Sequence, residues 1–246
     1  MEAPNLSDYF ARHERVALML SGGKDSTSVL MLCRQWWDQI TVYWSNPGAA
    51  LPETLEQMDR VKALVPNFVE VRGDVMADIQ QNGWPADIVP HSMTAIGRMT
   101  SGIDGIIVRD RFACCYRNLM FPAYQQAVAD GCTLIVRGER AQETNHNRSV
   151  HSGHIDENGV EHLLPIYDWP TDHVMQYLRD TAPELIHPAY AENATGNPDC
   201  VCCTAFWNEG YTPYLAKHHP EAAENRTRVI AAVYGQIDAT RRDLNP

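Results

Sequence analysis

Residues 18–32 read LMLSGGKDSTSVLML. Two apolar runs flank a polar centre, Ser21-Gly22-Gly23-Lys24-Asp25-Ser26. A packed core gains nothing from that interruption, so this stretch constrains the fold more than any other. Residues 15–20 predict a short buried strand. Val29, Leu30, Leu32, Cys33 and Trp36 predict a helix over 25–37. Glycines at a strand–helix junction permit a tight turn and close approach of a ligand. The first N–H groups of the helix lack partners within it and lie at the positive end of its dipole. Such a junction suits an anion. Ser21 and Ser26 add hydroxyls, and Lys24 adds a point charge for a phosphate oxygen. Asp25 repels phosphate and is expected to hold a metal ion or cap the helix. A plain glycine turn capped by Asp25 or Ser26 is the simpler reading, but it leaves Lys24 and the paired serines without a task. The spacing is neither G-x-x-x-x-G-K-S/T nor G-x-G-x-x-G.

Further along, strand and helix patterns alternate. Strands are predicted at 40–44, 68–71 and 133–136, and helices at 53–64, 118–129, 171–180 and 221–241. The reading is an α/β fold with a parallel sheet flanked by helices. Residues 73–111 read as loop-rich without clear elements, 138–159 as loop and 183–208 as irregular. No linker composition stands out in the 246 residues, so a single domain over 1–246 is expected, with a C-terminal cysteine segment and a helical tail. The net charge of −11 argues against broad, nonspecific nucleic-acid binding. The first twenty residues lack the basic-then-apolar layout of a signal peptide, and no apolar run reaches the length of a membrane span. A cytoplasmic protein without membrane attachment is expected.

In a reducing compartment the seven cysteines are not expected to form structural disulfides. Cys33 and Cys132 sit in apolar contexts and read as core. Cys114, Cys115, Cys200, Cys202 and Cys203 lie in polar or irregular segments. Cys200 and Cys203 have C-x-x-C spacing, which suits one metal centre. With Cys114 and Cys115 they make four thiolates, a set that holds either zinc or an iron–sulfur cluster.

The loop Ser21-Gly22-Gly23-Lys24-Asp25-Ser26 resembles the PP-loop S-G-G-x-D-S of the ATP pyrophosphatase superfamily. The resemblance implies an adenine nucleotide α-hydrolase-like fold and cleavage of ATP between its α and β phosphates. It makes all six residues nucleotide-binding, with Lys24 and Asp25 catalytic. The segment from Cys114 to Pro122 resembles C-C-x-x-R-K-x-x-P-L of the adenylylsulfate reductases. Asp199-Cys200-Val201-Cys202-Cys203-Thr204 is similar to their G-C-x-x-C-T. In that family, phosphoadenylylsulfate/adenylylsulfate reductase-like, the paired segments bind a 4Fe–4S cluster. The ligands implied here are Cys114, Cys115, Cys200 and Cys203, with zinc the alternative. Cys202 is an extra thiol. Arg137, Gly138, Arg140 and Arg148 resemble the family's anion-binding loop. Leu164-Pro165-Ile166-Tyr167-Asp168-Trp169 resembles P-I/L-x-D-W, and His187-Pro188-Ala189-Tyr190 resembles H-P-x-Y.

Two features depart from those reductases. Their phosphate loop is usually degenerate, whereas this one is intact. They carry a nucleophilic cysteine near the carboxyl terminus, whereas no cysteine follows Cys203 here. The expected activity is an iron–sulfur ATP pyrophosphatase that adenylylates an acceptor, with Mg2+ bridging phosphates, for sulfur transfer. Reduction of a sulfonucleotide to sulfite is the second expectation, and a non-catalytic nucleotide-binding subunit or sensor the third. The expected partners are an adenine nucleotide and a sulfur donor or acceptor, protein or nucleic acid, and a homo-oligomer is expected. Trp44 can stack on a base or belong to the core rim. His146, His151 and His154 read as solvated.

Overall fold

The computed structural model describes residues 5–102, 104–143, 151–195 and 199–244. In chain order the elements are α1 (Leu6–Arg12), β1 (Val16–Met19), α2 (Lys24–Leu32), β2 (Ile40–Asn46), α3 (Pro52–Leu64), β3 (Phe68–Arg72), α4 (Val75–Asn82), β4 (Trp84–Ala86), α5 (Ala95–Ser101), β5 (Val108–Asp110), α6 (Arg111–Cys115), α7 (Phe121–Ala129), β6 (Leu134–Val136), β7 (Glu161–Leu163), α8 (Thr171–Thr181), α9 (Tyr211–His218) and α10 (Pro220–Leu244). A π-helical turn, Tyr116–Met120, joins α6 to α7. The expected α/β class holds.

The chain divides into two compact units, each drawn from three separate stretches. Unit one takes residues 1–46, 52–72 and 121–188, and unit two takes 47–51, 73–120 and 189–246.

Unit one carries a five-stranded parallel sheet in the order β3-β2-β1-β6-β7. The order reverses between β1 and β6, where Leu18 pairs with Val136. Loops leaving two strands at such a reversal open a crevice at their carboxyl ends, where ligands gather in open α/β sheets. The loop after β1 is the glycine loop, and the loop after β6 begins at Arg137. Alternation along β1 sends Ala17 and Met19 to the face covered by α7. There Ala123, Ala127, Cys132, Ile135 and Val160 close a core around Tyr43. Cys33 and Cys132 are both buried, as expected. Trp36 stacks on Phe10 with ring centroids 4.4 Å apart.

Unit two corrects the loop reading of residues 73–111. That span holds α4, α5 and a two-stranded parallel sheet, β4-β5. Its strands, WPA and VRD, have three residues each and contain proline or charge, so no apolar run marks them as LIV marks β6. β7, of the same length, escaped notice for the same reason. Among the described residues the span 183–208 is irregular as expected, with two 3-10 turns. The predicted tail helix is α10, and α9 precedes it unforeseen. Val229 and Val233 of α10 pack with Ala86, Met93 and Val108. No helix of the described residues is long and apolar enough to cross a membrane.

Candidate functional site

The glycine loop is built around Gly22, whose φ of 83° lies in the left-handed region that a side chain disfavours. The loop ties itself with hydroxyls. Ser26 Oγ accepts from the Ser21 N–H at 3.2 Å and donates to Gly23 O at 3.2 Å, and Ser21 Oγ accepts from the Gly23 N–H at 3.2 Å. Gln57 on α3, not singled out in the sequence, donates its amide to Gly22 O at 2.8 Å and to Leu185 O at 2.6 Å. Helix α2 then starts at Lys24, after an N-cap Gly23 that supplies no side-chain cap.

Asp25 does not cap that helix; its carboxylate is engaged by two cations. Lys24 Nζ reaches Oδ2 at 2.7 Å, and Arg140 Nε donates to Oδ1. Arg140 is 1 % exposed. Its Nη1 lies within hydrogen-bond reach of Trp169 O at 3.3 Å, Thr171 Oγ1 at 3.1 Å and Gln142 Oε1 at 3.3 Å. The segment ending at Trp169, noted for its resemblance, thus anchors the arginine that neutralises Asp25. A buried charge left without such pairing would cost several kcal/mol, about 3–5 by analogy with broken buried pairs.

Gly138 explains why the second loop can approach the first. A Cβ there would lie 2.5 Å from Ser26 N and 2.6 Å from Asp25 C, in backbone rather than yielding side chain. Arg137 is half-buried and pairs with Glu139 at 3.1 Å. Trp44 is buried on β2. Arg148 and His146 lie outside the described residues. His151 is exposed, and His154 is half-buried against His151 and His162.

The cysteines belong to unit two. Cys114, Cys115, Cys200, Cys202 and Cys203 line one cavity of about 160 Å³, closed by Val75, Ile79 and Phe206 among others. A single water needs on the order of 10–15 Å³ by that measure, so a much larger group fits. The thiols surround a space rather than converge on a point. Among the described residues, no three His, Cys, Asp or Glu side chains stand close enough to grip one ion.

The cradle is held from behind by residues the sequence did not flag. Asp110 opens α6 by accepting from the N–H groups of Phe112 at 2.9 Å and Ala113 at 3.1 Å. That fixes the turn bearing Cys114 and Cys115. Arg109 Nη2 donates to Cys114 Sγ at 3.1 Å and also to Asp78 Oδ2. Asn118 joins Asp78 Oδ2 at 2.7 Å to Cys114 O at 2.9 Å. Burial would raise the Asp78 carboxyl, but the donors Arg109 and Asn118 outweigh it and hold it below its ordinary value.

The second cysteine pair sits on a turn closed by Cys203 N–H to Cys200 O at 3.1 Å. Thr204 Oγ1 then donates to Pro85 O at 2.6 Å, and Val201 N–H to Ala49 O at 2.8 Å. Phe206 has φ 60°, a left-handed conformation unusual for an aromatic residue. Asp87 accepts its N–H at 2.7 Å and that of Trp207 at 2.9 Å. Arg226 of α10 is 1 % exposed and bonds to Cys203 O at 3.0 Å, Ala205 O at 2.5 Å, Phe206 O at 2.8 Å and Thr212 Oγ1 at 3.0 Å. One signal for Arg226 was available: it shares helical register with the buried Ala223, Val229 and Val233. A cation on an apolar stripe needs buried acceptors. Burial raises the Cys203 thiol to about 12, and burial with the nearby Glu209 charge raises Asp199 to about 7.

Against known proteins, residues 15–193 match the phosphoadenosine phosphosulfate reductase domain. The chain belongs to that family, within the PP-loop superfamily, and the family is one of enzymes. No curated protein sequence matches it. Among solved structures, phosphoadenylyl-sulfate (PAPS) reductase from Candida auris, in a phosphate complex, is 12% identical with a TM-score of 0.48, over 72% of this chain and 77% of that one. U34-tRNA thiolase NcsA from Methanococcus maripaludis, with its 4Fe–4S cluster, is 16% identical with a TM-score of 0.44, over 89% of this chain and 72% of that one.

Proposed function

We propose that this enzyme is an iron–sulfur ATP pyrophosphatase that adenylylates an acceptor, releases pyrophosphate and serves sulfur transfer to that acceptor. The observation that carries this reading is the intact loop together with the double pairing of Asp25. If Lys24 exchanges Asp25 for a phosphate oxygen, Arg140 remains on the carboxylate. The loop thereby presents a cation to the polyphosphate without exposing an uncompensated acid. The positive, amino-terminal end of α2 meets the same charge. As the α–β bond breaks, negative charge grows on the leaving pyrophosphate, and fixed donors aimed there favour the transition state. Gly138 lets the second loop close on the first, and Arg137 stands at its start as an anion contact.

Mg2+ was expected to bridge phosphates. The protein itself offers no ready acid for a resident ion in this loop, since Asp25 is taken by two cations. The cysteine cavity does fit an iron–sulfur cluster, with Cys114, Cys115, Cys200 and Cys203 as its ligands. Such a cluster would supply a site that binds or relays sulfur. The same chain is proposed to fold and act as a single domain. Each unit is assembled from three interleaved stretches, so neither can be excised as one segment.

The test is anaerobic incubation with ATP and Mg2+ across candidate acceptors, with adenylylsulfate and its 3′-phosphorylated form in parallel. AMP and pyrophosphate formed in an acceptor-dependent way support the proposal. Release of sulfite from a sulfonucleotide with a thiol donor, and no pyrophosphate from ATP, overturns it in favour of reduction. Tight nucleotide binding with neither product overturns it in favour of a binding subunit.

A further inference from the structure

The five cavity cysteines are not electrostatically equivalent. Among the described residues, Cys114 is the cysteine whose sulfur accepts a hydrogen bond from a guanidinium. The donor, Arg109 Nη2, carries two hydrogens and has two acceptors, Cys114 Sγ at 3.1 Å and Asp78 Oδ2. Its side chain is 11% exposed, and its buried Nε has no hydrogen-bond partner. The guanidinium is therefore held by these two acceptors and not by general satisfaction of its donors. Asp78 is itself fixed by Asn82 at 2.7 Å, Asn118 at 2.7 Å and Arg117 at 3.3 Å. Arg226 shows the contrast: it bonds to the carbonyl of Cys203, leaving the sulfur alone.

We propose that Arg109, braced by Asp78, is a positioning residue that stabilises negative charge on the Cys114 sulfur and so raises the reduction potential of the group this cavity holds. This rests on the iron–sulfur reading of the cavity. A cationic N–H donor on a ligand sulfur favours the more negative state, which is the reduced one. Ligand-supporting groups of this kind act on affinity and potential alike.

The test uses full-length protein purified anaerobically, with iron and sulfide counted per chain before redox titration. Arg109→Gln removes the charge; Arg109→Lys keeps it but loses the planar, fixed Nη2 that reaches both acceptors. Arg109→Gln is expected to keep its iron and to lose about tenfold in the equilibrium constant for reduction, ~59 mV for one electron. Arg109→Lys is expected to lie between it and the unaltered protein. Full iron with an unchanged potential in Arg109→Gln overturns the proposal. If Arg109→Gln fails to load iron, Arg109→Lys decides: a lowered potential supports the role and an unchanged one overturns it. Unaltered protein that takes up no iron defeats the cluster reading instead, a failure visible as colourless protein before any variant is compared.

Discussion

The glycine loop and the cysteine cavity are built on opposite plans. The loop is six consecutive residues that tie themselves with their own hydroxyls, finished by Gln57 and Arg140 from elsewhere. The cavity draws its thiols from two segments 85 residues apart and its supports from Asp78, Asp87, Arg109 and Arg226. Local chemistry can be read from a short string, because the string makes most of its own bonds. A cradle made by distant residues leaves only its thiols in view.

The comparison breaks first at the residues each region cannot lose. Cys114→Ser and Cys200→Ser should each lose all bound iron, whereas Cys202→Ser should keep it, measured as iron per chain. Loss of iron in Cys202→Ser with retention in Cys203→Ser would reassign the ligand. Lys24→Ala should abolish pyrophosphate release while iron content stays unchanged. Loss of iron there would show that the two sites are not separately supported.

Smaller effects sharpen the contrast between self-tied and remotely tied loops. Arg226→Met strands the carbonyls of Cys203, Ala205 and Phe206, so thermal unfolding should show a loss of about 1–3 kcal/mol. Gly138→Ala presses a methyl into the backbone of Asp25 and Ser26 and should cost about 1–3 kcal/mol, with weakened nucleotide binding in equilibrium titration. The smallest effect lies away from both sites. Arg12 chiefly, then His13, hold the Glu161 carboxyl below its ordinary value. Because the folded value is depressed, the pair stabilises above the unfolded carboxylate pKa, about 4.3, and fails as the pH drops through the lower folded one. Glu161→Gln should flatten that acid limb by less than about 1 kcal/mol in pH-dependent denaturation.

Much of unit one was legible. Strands β1, β2 and β3 and helices α3 and α8 fall within about two residues of their sequence assignments, because their patterns are long enough to show a period. Unit two was opaque where its elements are short. Three-residue strands broken by proline or charge show neither alternation nor an apolar run, and α6 has five residues ended by a π-helical turn. Site residues divided in the same way. Ser21 to Ser26 and the cysteines stood out by type and spacing, and the structure gathers the first set in one loop and the second around one cavity. Arg140 was noticed as an anion ligand, yet it bonds to Asp25, because the sequence cannot say which acid a buried guanidinium will meet. Gln57 and Asp87 act through backbone partners that no side-chain pattern encodes.

The dependence of the cysteine turn on Arg226 also sets an order of events during synthesis. Cys115 leaves the ribosome 85 residues before Cys200. At about 5–20 residues per second, that interval is roughly 4–17 s. The guanidinium that locks the second pair follows 23 residues after Cys203. A nascent chain therefore shows two open thiols for seconds before their counterparts exist, and longer before the turn is fixed. Insertion of any group shared by the two pairs therefore waits until Cys200 and Cys203 have emerged, and the turn that holds it is fixed only once Arg226 follows.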